Sequence, residues 1–487
     1  MGTSSFFIDI LVLSLYNMVG SKEEGGAFMK RFKDWLPWHT VPIILALAWP
    51  TMLEQLLGTA VQYIDTAMVG SLGTAATAAV GSTTTVNWLI GSTVSAIGIG
   101  FLAFISQAHG AGEHEKAKRA SAQAMLAVLV FGILFTVITL SLSGMVPVWM
   151  QVEEGIQSLA AQYFFILYLP MLPRAASIIF GTVLRAAGDT KTPMRVGLLV
   201  NVINVVLNFL LIYPTRTETI FFFELYIPGA GMGVIGAAIA SAAAYAVGGI
   251  VITVALLRHP SVSPRGYSIK PDPQILAPCF KVAIPNAVQR FGTSFGYVAF
   301  AAMVNSLGGI ATAAHTIANT VESAFYIPGY GMQSAAATLA GNAYGAKDGK
   351  RLRELSKMTL LIELVFMTVS GALLFLFAPG LMTVFSKEAE VILLGSTVLR
   401  MVALSEPFYG ISIVIEGMMQ GMGRTVMPLV CNLTGMWLIR IVGTFLCIHF
   451  FSGGLVAAWG CMIAHNLMLF VMFAAYYISG KWNPLKE

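Results

Sequence analysis

Charge is what this sequence has least of. Only 10% of its 487 residues are Asp, Glu, Lys or Arg, against about 25% in a typical soluble domain, so a globular protein of this length would have no adequate aqueous surface. Cysteine is also scarce. The four present, Cys279, Cys431, Cys447 and Cys461, are scattered through apolar stretches without a CxxC spacing or a Cys/His cluster. Neither a disulfide framework nor a zinc site is indicated, and all four read as small buried hydrophobes. The alternating pattern of a membrane barrel is missing. So is a phosphate loop: Gly345-Ala-Lys-Asp-Gly-Lys350 has neither the GxxxxGK[ST] spacing nor a strand–helix context. With no ATPase domain in view, the expected driving force is an ion gradient. The net charge of +5 does not point to nucleic acid; its placement along the chain explains it better.

What is present in excess is apolar residues, 57% of the chain, with a mean hydropathy of +0.78. Runs of about 20 apolar residues recur, each able to cross about 30 Å of hydrocarbon, and helices are the form that satisfies their backbone there. The pattern predicts an all-α polytopic membrane protein of twelve helices, near 41–66, 77–108, 119–143, 156–185, 194–213 and 231–257, then 276–304, 310–343, 354–378, 390–420, 428–450 and 455–479. Basic residues mark alternate connections: Lys22, Lys30, Arg31 and Lys33; Lys116, Lys118 and Arg119; Arg185, Lys191 and Arg195; Arg258, Arg265, Lys270 and Lys281; Lys347, Lys350, Arg351, Arg353 and Lys357; Arg424; Lys481 and Lys486. The intervening loops hold only Arg216 and Lys387 among several glutamates. The positive-inside rule then puts both termini in the cytoplasm, and a multi-pass plasma-membrane location is expected. The segment before Met29 reads as neither a good signal peptide nor a full span.

The chain repeats itself. Shifted by 235 residues, Pro50 falls on Pro285, Ser71-Leu72-Gly73 on Ser306-Leu307-Gly308, Ala76-Thr77-Ala78-Ala79 on Ala311-Thr312-Ala313-Ala314, Gly110-Ala111 on Gly345-Ala346, and Gly188, Thr190 and Pro193 on Gly423, Thr425 and Pro428. Six helices per repeat is an even number, so the halves share one orientation and are related by an axis along the membrane normal. This organisation reads as an N-terminal cytoplasmic extension (1–39), an N-lobe (40–257), a cytoplasmic linker (258–275), a C-lobe (276–480) and a cytoplasmic tail (481–487). Two matched bundles suit alternating access, which neither a channel nor an intramembrane enzyme requires.

Several first-half segments carry a resemblance: Pro50 with Ile64-Asp65-Thr66-Ala67-Met68-Val69-Gly70 and Leu72-Gly73, Gln107-Ala108-His109-Gly110-Ala111-Gly112, Leu184-Arg185-Ala186-Ala187-Gly188-Asp189-Thr190-Lys191-Thr192-Pro193, and Asn204-Val-Val-Leu-Asn208. Together they resemble the multidrug and toxic compound extrusion (MATE) family over about residues 40 to 480. The resemblance implies a V-shaped fold exporting drug-like, often cationic, compounds in exchange for sodium ions or protons. It implies a small-molecule substrate, no cofactor beyond the coupling ion, and a monomer in the bilayer.

Ionisable and amide groups within apolar runs are the site candidates, since each is costly in hydrocarbon unless paired or solvated. Asp65 leads: it sits in the outer half of the first predicted helix, at the motif position where the family has its cation-binding aspartate. The plain alternative is a solvated or capping carboxylate. Glu54, eleven residues earlier, shares its helix face about 16 Å away, with Gly58 and Gln62 near that stripe. It is expected either to relay protons or to pair with an arginine. Pro50 is expected to bend this helix and free a carbonyl. Asn201, Asn204 and Asn208 lie i, i+3, i+7 on one face of the fifth helix. The resemblance puts an asparagine at Asn204 and, in archaeal-type members, an aspartate at Asn208, with a hydroxyl at Ser241. The expected constellation, Asp65, Asn204, Asn208 and Ser241, holds one negative charge among neutral oxygens and suits one sodium ion or one proton. The alternative is hydrogen-bond glue between helices. In the second half, relatives of the NorM type place acidic residues where this chain has Thr293 and Tyr409. Glu363, Glu406 and His315 are candidate substitutes there. Buried Glu–Arg pairing and an ordinary buried histidine are the alternatives. Arg174, Arg400 and Arg440 keep an anionic or zwitterionic substrate open, as for a lipid-linked oligosaccharide flippase or metabolite exporter.

Overall fold

The computed structural model describes residues 36–220 and 223–485; the segment before Met29 lies outside the described residues. After a 3₁₀ turn at Trp38–Thr40, the first half runs α1 (Val41–Gly70), α2 (Thr74–Gly110), α3 (His114–Leu142), a short α4 (Val146–Trp149), α5 (Glu154–Tyr168), α6 (Met171–Ala186), α7 (Lys191–Leu211), a hairpin of β1 (Pro214–Ile220) and β2 (Phe223–Ala230), and α8 (Gly233–Arg258). The second half runs α9 (Pro273–Asn305), α10 (Gly309–Gly345), α11 (Gly349–Phe385), α12 (Ala389–Ala403), α13 (Glu406–Gly421), α14 (Val426–Thr434), a π-helical stretch (Gly435–Ile441), α15 (Val442–Phe451) and α16 (Leu455–Ile478).

Eight of the described helical spans are long and apolar enough to cross a membrane, and ten are if each of two bent pairs counts as one. The other two long helices, α9 and α10, are long enough at 33 and 37 residues. Their interiors carry Lys281, Arg290, Glu322 and several amides, which dilute their hydropathy. They are the repeat partners of α1 and α2. The outward faces of the apolar helices are greasy, with Val430, Leu376, Phe377 and Phe450 all exposed. Apolar surface on this scale needs lipid to cover it.

Two elements expected to be single helices are broken. α5 and α6 meet at 51°, and α12 and α13 at 53°. Moved by the same 235 residues, the bounds of the first pair fall on those of the second. Prolines cluster at both breaks: Pro170 and Pro173 at one, Pro407 in the first turn of α13 at the other. A proline lacks a backbone donor and costs no helical hydrogen bond in a helix's first turn, which suits each pair to restart there. The hairpin also departs from expectation, replacing a plain outer loop with an antiparallel ladder from Ile220↔Phe223 to Pro214↔Ala230. Pro50, expected to bend the chain, lies inside an uninterrupted α1. Next to it the Thr51 hydroxyl is within hydrogen-bond distance of the Ala48 carbonyl (2.8 Å) and the Gly331 carbonyl (2.8 Å).

The described chain separates into two compact units that follow the repeat while exchanging leading segments. One comprises Leu53–Ile105 and Glu113–Phe291; the other comprises Gly292–Glu487, Ser106–Gly112 and the described residues up to Met52. In the first, α8 packs against α5, α6 and α7, and α6 against α3. α8 can approach closely because it is built of Gly and Ala: a Cβ at Gly249 would collide with the Pro173 backbone, and one at Gly236 with Leu211. Small residues serve this purpose generally in membrane helices. In the second unit α10 packs on α11 and α13, and α13 on α16, around Met332, Leu339, Leu355, Val414 and Met418.

Candidate functional site

The closest gathering of polar side chains in the first unit centres on Asp65. α1 delivers the half-buried carboxylate, and its C-terminal end is tied to the end of α7 by a Ser71–Tyr213 hydroxyl contact of 2.8 Å. On α7, Asn204 and Asn208 are buried, 6% and 1% exposed, so these amides face protein rather than lipid. The Asn208 amide nitrogen donates to Asp65 Oδ1 at 2.5 Å. The Asn204 amide lies 2.7 and 3.2 Å from the two carboxylate oxygens; with its nitrogen toward them, its oxygen accepts from the Ser241 hydroxyl at 3.0 Å. The close seating of α8 puts Ser241 there. Asn208 Oδ1 is buried without a hydrogen-bond partner among the described residues. A buried amide oxygen left unpaired costs about 1–3 kcal/mol, so this atom is an available hard donor beside a carboxylate. The four residues expected from sequence thus come together. Asn201, expected on the same face, makes no hydrogen bond among the described residues, and Gln62 is exposed.

Glu54 is engaged elsewhere. Arg185 Nη1 donates to its Oε2 at 3.0 Å and Oε1 at 3.3 Å, and the Glu54 side chain lies beside Gly197. Of the two readings left open, relay or ion pair, the geometry contains the ion pair. A further polar cluster was not anticipated as a unit. Arg174, 9% exposed, donates from Nη2 to Asn87 Oδ1 at 2.7 Å, and the Tyr168 hydroxyl donates to the same oxygen at 2.9 Å. Its guanidinium also lies 4.7 Å from the Tyr245 ring centre. No acidic side chain partners it among the described residues. Asn87 has no second amide within two turns of it in α2, so only Arg174 itself gave a sequence signal.

A family model described as MatE matches residues 50–210 and again residues 285–446. The chain belongs to the MatE family. The two matches begin 235 residues apart, which is the repeat found in the sequence. This MatE chain is 27% identical over 456 residues to "Probable multidrug resistance protein NorM" of Thermotoga maritima, covering 93% of this chain and 96% of that one. It is 24% identical over 451 residues to "Probable multidrug resistance protein YoeA" of Bacillus subtilis, covering 91% and 94%. Among solved structures, a MOP superfamily transporter from Pyrococcus furiosus, described as having a binding pocket of reverse polarity, is similar with a TM-score of 0.83 at 21% identity, over 91% of this chain and 96% of that one. A MATE structure in the straight conformation gives 0.82 at 22% identity, with the same coverage. The fold is therefore that of the MATE transporters, a family of membrane transport proteins rather than enzymes.

The second unit of the MatE chain arranges its candidates differently. Glu363 and Glu406 are fully buried, and neither forms an ion pair among the described residues. Both Glu363 oxygens and one of Glu406 lack hydrogen-bond partners there. Glu363 is seated between two glycines, Gly329 and Gly410, and Glu406 lies within electrostatic range of both Glu363 and Glu322. Tyr409 shares a hydroxyl contact of 2.9 Å with Tyr330. His315 accepts at Nδ1 from the Trp459 indole at 3.2 Å and packs on Phe300, the environment of an ordinary buried histidine. Arg440 lies over Phe300 and Tyr297 at 4.2 and 4.9 Å, with Glu322 as its electrostatic neighbour. Arg400 is exposed. No group of three or more His, Cys, Asp or Glu side chains among the described residues could hold a metal ion, so a multi-carboxylate cation cage is not part of this geometry.

Proposed function

We propose that this chain is an ion-coupled multidrug efflux transporter of the plasma membrane, with twelve spans, both termini cytoplasmic, and Asp65 as the group that exchanges the coupling cation. The observation that carries the reading is the Asp65 carboxylate held by two buried amides, with Asn208 Oδ1 beside it and unpaired. One carboxylate and neutral oxygens from Asn204, Asn208 and Ser241 suit a single monovalent cation. With both amide nitrogens toward it, as here, the carboxylate is held ionised; for sodium the amides turn their oxygens inward, and for a proton one amide oxygen turns to accept from the new carboxyl O–H. Where the archaeal-type relatives have a second acid, Asn208 is neutral, so one charge is exchanged per site.

Coupling follows from differential affinity. Occupying Asp65 neutralises a charge among helices α1, α7 and α8 and changes which arrangement of α1 against α7 is stable. A cation that bound both arrangements equally would shift nothing, and moving a population from 1:99 to 99:1 takes about 5.5 kcal/mol of preference. Drug-like, amphipathic cations are the expected cargo, and the protein is expected to act as a monomer. The test is efflux of an ethidium-like dye from a pump-deficient bacterium, with sodium and pH varied separately. Asp65→Asn should abolish efflux at unchanged protein abundance; an active variant would remove Asp65 from the mechanism.

A second reading has one observation in its favour. Arg174 is a buried guanidinium without an acidic partner among the described residues, which favours an anionic or zwitterionic cargo, such as an exported metabolite or a lipid-linked oligosaccharide. Loss of export of such a compound in Arg174→Gln, with dye efflux intact, would select it.

A further inference from the structure

All four cysteines read from sequence as small buried hydrophobes; Cys279 and Cys431 are buried, but the other two are not, and they are neighbours. Cys447 on α15 and Cys461 on α16 are both half-exposed free thiols, with their sulfurs 3.7 Å apart. The tight turn between the helices makes this possible. Ser452 takes a left-handed conformation (φ 49°) and the Gly453 amide donates to the Cys447 carbonyl at 2.8 Å, so the chain reverses within three residues and lays α16 against α15. Gly443, one turn before Cys447, offers no side chain, and a Cβ there would lie 3.3 Å from the Cys461 sulfur. The sulfur is therefore seated against bare backbone on the face that carries Cys447. A disulfide needs about 2 Å between sulfurs, so closure asks for a shift of under about 2 Å, within reach of side-chain rotation at both residues.

Depth matters as much as distance. Cys447 is four residues from the end of α15 and Cys461 six from the start of α16, roughly 6 and 9 Å along the helix axes. In a bilayer about 40–45 Å thick with a core of about 30 Å, both thiols sit near the boundary of the headgroup layer. The orientation proposed above makes this the non-cytoplasmic end, where disulfides form and persist.

We propose that Cys447 and Cys461 form a redox-convertible pair, which an external disulfide oxidises to a cystine that ties α15 to α16 at the outer end of the second half. One thiolate attacks the external disulfide and displaces one of its thiols. The other thiolate then attacks the resulting mixed disulfide and displaces the second. Two cysteine thiols are oxidised by two electrons, and the external disulfide is reduced to two thiols that take up the two protons. The bond directly follows the π-helical stretch Gly435–Ile441 and fixes the helix beyond it. The pair rests on the proposed orientation only for the side from which oxidant arrives.

Cells carrying the intact transporter are treated with diamide, which crosses membranes, or with oxidised glutathione, which does not. The protein is then denatured, and its remaining thiols are counted with a bulky maleimide. Protein reduced beforehand has four reactive thiols; oxidant should leave two, and renewed reduction should restore four. Cys447→Ser and Cys461→Ser should each show three thiols with or without oxidant, whereas Cys279→Ser should fall from three to one. Four thiols remaining after diamide, or protection persisting in Cys447→Ser, would overturn the pair. Protection by diamide but not by oxidised glutathione supports the pair and overturns its outward placement.

Discussion

Breaking the Glu54–Arg185 pair separates the two roles that the sequence left open for Glu54. The side chains are 25% and 17% exposed and joined by two contacts of 3.0 and 3.3 Å. Exposed pairs contribute roughly 0–1 kcal/mol, while removing one partner of a fully buried pair costs roughly 3–5 kcal/mol because the other charge is stranded. Partial exposure puts Glu54→Gln between them, at about 1–3 kcal/mol. Arg185→Gln should cost a similar amount, and the double variant much less than the sum, since neither charge is then stranded. Thermal unfolding of the detergent-purified protein measures the cycle, with an expected coupling of about 1–2 kcal/mol. Dye efflux in the same four proteins decides the role. If Glu54 serves as a fastening, the double variant regains most of the efflux lost in either single variant. If Glu54 relays protons, efflux stays lost in both proteins that lack its carboxylate. Additive stability losses with no recovery of efflux would refute the fastening.

Other predictions follow from neighbouring geometry. Asn208→Leu removes a charge-assisted hydrogen bond and the unpaired oxygen; at about 1.5–3 kcal/mol, apparent affinity for sodium should fall about 10- to 150-fold in a sodium-dependence curve of efflux, with abundance unchanged. Gly345→Ala and Gly110→Ala should each destabilise by about 1–3 kcal/mol, because their Cβ atoms would meet the backbone of Gln107 and Asn342 respectively; a melting point within a degree of wild type in both would show that this seam yields. His259, just past α8, is held below its ordinary value near 6.5 mainly by burial, with Asp189, 3.9 Å away, opposing. The folded state therefore prefers the neutral ring. Its contribution is complete above about pH 6.5 and is lost as pH falls below that value and the unfolded state takes up the proton first. Hydrogen-exchange protection across 258–272, corrected for the intrinsic pH dependence of amide exchange, should fall between pH 7 and pH 5 in the wild type and not in His259→Gln.

Much of this fold is legible because a membrane leaves few options: apolar length gives spans, and a repeated proline–glycine pattern gives the duplication that α1 and α9, or α5–α6 and α12–α13, display. The breaks within those pairs were not legible, since a turn of two residues barely changes the hydropathy of a run of about thirty. The hairpin was hidden for a similar reason: Arg216 and the outer glutamates read as a plain polar loop. In the site, Asn204 and Asn208 could be found because helical periodicity put them on one face. The Glu54–Arg185 pair and the Arg174–Asn87 contact join residues 131 and 87 positions apart, and no periodicity reports such partners. The cysteine pair was missed because fourteen residues spanning a helix reversal have no motif spacing.

The central claim is tested most directly in proteoliposomes containing the purified protein, with an imposed sodium or proton gradient driving uptake of an ethidium-like dye. Wild-type protein should accumulate dye under one of the two gradients. Asp65→Asn should bind the dye with similar affinity yet accumulate none under either gradient. Gradient-driven accumulation by Asp65→Asn at the wild-type rate would contradict the account.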